Sequence, residues 1–131
     1  MNGMMLIGIV LATAAHALIG MFWYSPQAFG PLWLKLANVI PDPVKMKNAA
    51  MIGTIAAMVM ACVMANLMDR LQISSFIGAF CFGFAVWLGF VATVGLSEVI
   101  WCGKPLELYF IKMGNTLVSI LTMSLILAFF I

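Results

Sequence analysis

The chain has 131 residues, of which 66% are hydrophobic and 8% charged, with a formal net charge of +2. That composition excludes an ordinary soluble domain, and so small a charge gives no nucleic-acid surface. The length suits a single domain, 1–131. The three cysteines, Cys62, Cys81 and Cys102, have no CxxC spacing and suggest neither a zinc site nor a disulfide framework.

The first apolar run, about Met4 to Tyr24, lacks the basic start and small-residue cleavage site of a signal peptide, and reads as a retained helix. It ends in Phe22, Trp23 and Tyr24, the kind of aromatic belt that sits at a membrane interface. Ser25-Pro26 closes it, because a proline disfavours helix in the residue before it. Gln27 to Ile40 is apolar but too short to span. Its Trp33 and Lys35 predict a short segment lying in the interface. Pro41-Asp42-Pro43 reads as a stop. A second run covers about Lys47 to Met68 and leaves through Asp69-Arg70. Ser74 and Ser75 are candidate caps for a third, which extends to about Ile100. Trp101-Cys102-Gly103-Lys104-Pro105 is a turn, and a last run covers about Leu106 to Ile131 with little expected beyond the membrane. A spanning helix needs about 20 apolar residues, so the expected fold is all-α: an integral membrane four-helix bundle with a short interfacial segment between helices 1 and 2.

Four spans place both termini on one side. Lys35, Lys45, Lys47 and Lys104 lie in the first and third loops and only Arg70 in the second, so positive-inside puts the first and third loops in the cytoplasm and both termini outside. Gly8 and Gly20 are echoed by Gly83 and Gly95 at the same spacing, a faint parallel repeat best put down to chance.

Residues four apart share a helix face. Gly8-Ala12-His16-Gly20, Gly53-Ala57-Ala61-Ala65 and Ala85-Gly89-Thr93-Ser97 form small-residue rows on the first three helices. In lipid such rows let helix backbones approach closely, so they predict a tight bundle; lining a solute path is the functional alternative. On the last helix Lys112, Asn115, Thr116, Ser119 and Thr122 share a polar face, which must meet protein or water. Interhelical hydrogen bonding is the favoured reading, and a hydrophilic path or pocket the other.

His16 is the one histidine and sits near mid-helix, where a polar side chain is costly. Three readings are open: a hydrogen bond to Asn66 or Asn115, a proton-relay or solute-site role, and ligation of a pigment or haem metal, suggested by Ala12-x-x-x-His16 followed by Trp23. Glu98 and Lys112 flank the third turn and could pair at similar depth, with each snorkelling separately as the alternative; Glu107 competes for Lys104 or Lys112. Met60, Met64 and Met68 form a thioether row with Met51 and Met58 nearby, read as packing before copper handling. No nucleophile–base pair, phosphate loop or zincin motif is visible, so neither an enzyme nor a bound metal or cofactor is expected.

The block Gly20-Met21-Phe22-Trp23-Tyr24-Ser25-Pro26, then Phe29-Gly30-Pro31-Leu32-Trp33, resembles the opening signature of an uncharacterised bacterial membrane family, domain-of-unknown-function family 1761. Trp87-Leu88-Gly89-Phe90-Val91-Ala92-Thr93, Trp101 and a final helix with Lys112, Gly114 and Asn115 resemble it in the same order. The resemblance covers essentially the whole chain. It implies a small four-helix protein of the bacterial inner membrane and supplies no reaction, substrate or catalytic residue. Read physically, Trp23, Tyr24, Trp33 and Trp101 would anchor one bilayer face. That face also holds Glu98, Glu107 and most lysines, and is the first place to look for any ligand or partner site.

The function expected is non-enzymatic helix association, as an accessory subunit of a larger membrane complex or a homo-oligomer. The partners would be the lipid bilayer and other membrane subunits or the chain itself. The alternative is a small oligomeric transporter or channel with His16 and the polar last-helix face on its path.

Overall fold

The computed structural model describes residues 3–131. Its helices are α1 (Gly3–Trp23), α2 (Gly30–Ala37), α3 (Pro43–Arg70), α4 (Phe76–Ile100) and α5 (Leu106–Phe130), with no strand among the described residues. All but α2 are long and apolar enough to cross a membrane. The protein is therefore a multi-pass helical membrane protein with the expected all-α fold.

The boundaries follow local chemistry. Pro41-Asp42-Pro43 is a start rather than only a stop. Asp42 caps α3 by accepting the Val44 N–H at 3.1 Å, and Pro43 occupies the first turn, where its missing N–H has no helical partner to lose. This makes α3 28 residues long, about 42 Å at about 1.5 Å per residue, longer than a hydrocarbon core of about 30 Å. Ser75, not Ser74, caps α4, accepting from the Gly78 N–H at 3.0 Å. The interfacial segment shortens to the eight residues of α2, closed by Asn38 at φ 58°. It packs against α5.

The α5 helix is the hub. It packs on α1 along one side and α4 along the other, while α3 lies mainly against α1. Its buried side chains include Ile111, Met113, Ile120, Met123, Leu127 and Ala128. One core cluster joins Met5, Ile9 and Ala12 of α1 with Ala61, Met64, Ala65 and Met68 of α3, Ala79 of α4 and the second half of α5. Met64 and Met68 of the methionine row are thus packing residues. Small residues set the close approaches. A Cβ on Gly8 would lie 2.9 Å from Phe130, one on Gly83 2.6 Å from Ser124 Oγ, and one on Gly114 2.9 Å from the Trp23 ring. In lipid, where apolar burial gives no driving force between helices, such contacts hold the bundle together.

The small-residue rows divide. Gly8 and Ala12 are buried and His16 and Gly20 half-buried; Ala57, Ala61 and Ala65 are buried, but Gly53 is exposed. The third row does not enter the bundle at all. Ala85, Gly89, Thr93 and Ser97 are all exposed. The reason is twofold. Ala79, Gly83 and Ala92 form the buried side of α4 instead, and residues Trp87–Ala92 form a π-helix, which interrupts the four-residue spacing that defines the row.

Candidate functional site

The polar side chains of the bundle gather where the ends of α1 and α4 meet the first half of α5. Three donors reach across to backbone carbonyls there. The Trp23 indole N–H donates to the Ile111 carbonyl at 2.9 Å. The Trp87 indole N–H donates to the Met113 carbonyl at 3.1 Å and to Thr116 Oγ1 at 3.0 Å. The Tyr109 hydroxyl donates to the Ala92 carbonyl at 2.7 Å, where the π-helix ends. Trp23 and Trp87 thus grip α5 from opposite sides, at carbonyls two residues apart. Gly114 supplies the space for Trp23, since any side chain there would strike its ring.

The Tyr24-to-Trp33 block forms a clip on the same end. Ser25 O accepts the Ala28 and Gly30 N–H groups at 3.0 and 3.1 Å. A Cβ on Gly30 would sit 2.5 Å from the Tyr24 carbonyl, so only glycine fits. Trp23 packs on Phe29 with ring centroids 5.1 Å apart, and Tyr24 on Trp33 at 5.3 Å. Burial pushes the Tyr24 phenol above its ordinary pKa, and the adjacent Asn115 side chain pulls it partly back. Trp101 differs from these. It is 83% exposed beyond the end of α4, whereas Trp23 directs its polar atom into the bundle.

Glu98 and Lys112 do pair. Lys112 Nζ donates to Glu98 Oε2 at 2.9 Å and Oε1 at 3.0 Å, with the Lys112 side chain 35% and the Glu98 side chain 45% exposed. A cavity of about 20 Å³ lies beside them, lined also by Gly95, Lys104, Tyr109 and Met113. It is roomy enough for about one water. Lys112 is six residues into α5, about 9 Å below its start, so pairing lowers the cost of a charge at that depth.

His16 lies seven residues before Trp23, about two turns along α1 from the clamp. It is half-buried and makes no hydrogen bond among the described residues. Neither expected partner takes it. Asn66 is exposed and donates to the Cys62 carbonyl of its own helix at 2.8 Å, and Asn115 lies beside Tyr24. Among the described residues, no group of three or more His, Cys, Asp or Glu side chains is arranged to hold a metal. Of the polar α5 face, Asn115 and Ser119 are buried, with Asn115 Oδ1 and Ser119 Oγ lacking a protein partner, while Thr116 is bonded to Trp87. Sequence reasoning misses Trp87 and Tyr109 as site residues. A tryptophan in mid-span and a tyrosine early in α5 are the only signals that mark them.

The arrangement offers cross-helix polar clamps, one ion pair and a small cleft at one end of the bundle. Neither characterised proteins nor solved structures give a match to this chain. The family described as "Protein of unknown function (DUF1761)" matches residues 7–128. The chain belongs to the DUF1761 family.

Proposed function

We propose that this protein works by helix association, without catalysis, as a homo-oligomer or as an accessory subunit of a larger complex in the bacterial inner membrane. The observation that carries the reading is the outer face of α4. Ala85, Gly89, Thr93 and Ser97 are small residues exposed away from the bundle, and a Cβ on Gly89 would meet nothing within 4 Å. Only 17% of the most apolar window of this helix is buried within the chain, against 44% for α5. Close helix contact in lipid depends on small residues and hydroxyls of this kind, and a second helix seated there would use what the chain leaves open. The lysines of the first and third loops would face the cytoplasm.

The test is extraction from native membranes in mild detergent. A complex of defined mass larger than one chain, reduced to a single chain by Gly89→Leu, is the expected result. Migration of the unsubstituted protein as one chain in every mild detergent contradicts it.

A further inference from the structure

The described residues leave three buried side-chain polar atoms without a protein partner: Ser25 Oγ, Asn115 Oδ1 and Ser119 Oγ. Buried polar groups normally find a partner, and each exception needs an explanation. Ser25 follows Tyr24 in the clip, and Asn115 and Ser119 share the face of α5 beside Tyr24. Asn115 is 9% exposed and sits beside Tyr24; Ser119 is 1% exposed and one turn deeper on the same helix face. Side chains four apart on a helix have Cβ atoms about 5–6 Å apart. A water held by two hydrogen bonds of about 2.8 Å suits polar neighbours on one helix face such as Asn115 and Ser119.

His16 is in line with them. The contacts of Gly8 with Phe130 and of Gly114 with Trp23 fix the antiparallel register of α1 on α5 and put His16 level with about Thr122, less than a turn beyond Ser119. His16 follows Gly8 by eight residues and precedes Trp23 by seven, spacings that keep all three on one broad stripe of α1. Thr122, three residues from Ser119, continues the polar face at that level, and both His16 and Thr122 are half-buried without a hydrogen bond to the described residues.

We infer that a chain of bound water runs along the α1–α5 contact, entering by Ser25 and Tyr24 and passing Asn115 and Ser119 to His16. The bonding chemistry fits water. A carbonyl oxygen needs a donor, a hydroxyl takes either role, and a neutral imidazole offers one of each. A buried water needs two to four such partners, and the seam supplies them in sequence. This gives a mid-helix histidine access to water from the first-loop side, and it holds whether or not the chain associates with others.

Thiol accessibility in bilayers tests it. Cys62, Cys81 and Cys102 are replaced by alanine, and single cysteines are introduced as Asn115→Cys, Ser119→Cys, Val118→Cys and Trp101→Cys. The probe is deuterium oxide: an S–H exchanges with it only where water reaches, and the S–H infrared stretch follows the reaction. Ser119→Cys and Asn115→Cys should react at least about tenfold faster than lipid-facing Val118→Cys, the neighbour of Ser119 at almost the same depth. Protection of both seam positions while Trp101→Cys reacts, or equal reaction at Val118→Cys, overturns the inference. Water-edited solid-state NMR of the unsubstituted protein gives the second reading. Magnetisation should pass from water to the Asn115 side chain and His16 ring faster than to Met123 and Leu127. Build-up at His16 and Asn115 as slow as at those core residues also overturns it.

Discussion

Two glycines six residues apart on α4 should respond oppositely to the same substitution. At Gly83 an added Cβ lies 2.6 Å from Ser124 Oγ and 3.3 Å from Ser124 Cβ, and the fully buried Ser124 is tied to its own helix through the Leu121 carbonyl at 2.9 Å. The helices must move apart or Ser124 must leave its rotamer, and overpacking of this kind costs about 1–3 kcal/mol. At Gly89 nothing lies within 4 Å, so alanine meets no obstacle, and its better helix propensity, up to about 1 kcal/mol, decides the sign. Equilibrium unfolding in mixed micelles, followed by helical circular dichroism, measures both. Gly83→Ala should destabilise by about 1–3 kcal/mol and Gly89→Ala should be neutral or mildly stabilising. Adding Ser124→Ala to Gly83→Ala should recover part of the loss, because the closest atom is then gone and the two effects are not additive. Equal destabilisation at the two glycines, or strict additivity with Ser124→Ala, refutes this placement of α4 on α5.

Trp87→Phe removes the donor to both Met113 and Thr116 and should cost about 1–2 kcal/mol in the same assay, while Trp87→Phe and Thr116→Ala should couple by about 0.6 kcal/mol in a double-mutant cycle. Glu98→Gln should cost under about 1 kcal/mol and lose its effect at high salt, because the pair with Lys112 is more than a third exposed and solvent screens it. Tyr24 and Tyr109 are the two tyrosines. In Tyr109→Phe, absorbance titration of Tyr24 should give a midpoint above the ordinary phenol value of 10.0, since burial favours the neutral form. A raised folded pKa means that this contribution to stability is fully present at neutral pH and is lost as pH rises through the folded value. A midpoint at or below the ordinary value contradicts the docked position of Tyr24.

What is legible in the sequence is mostly local or set by the solvent. The four spans follow from hydrophobic run length, and the α4 cap at Ser75 from side-chain chemistry next to a run. The Glu98–Lys112 pair is foreseeable because a short turn places both at one depth. The rest depends on how helices turn toward one another. Trp23 reads as an interfacial anchor because aromatic belts lie at helix ends, yet its N–H reaches a carbonyl 88 residues away that no local pattern marks. The third small-residue row is identified by its four-residue spacing, but the π-turn at Trp87–Ala92 interrupts that spacing, and only the packed bundle shows the row facing outward. A bond from His16 to Asn66 or Asn115 is one reading that polarity suggests, but Asn66 bonds within its own helix and Asn115 lies beside Tyr24. Periodicity finds the faces of single helices; it does not say which faces meet.

The claim that the outer face of α4 receives another helix is tested most directly by site-specific photocrosslinking in native membranes. A photoreactive residue at Gly89 or Thr93 should give one discrete adduct of higher mass, whereas the same residue at Leu6 or Val10, on the exposed side of α1, should give none. Crosslinking from Gly89 and Thr93 no stronger or more discrete than from Leu6 and Val10 would contradict association through this face.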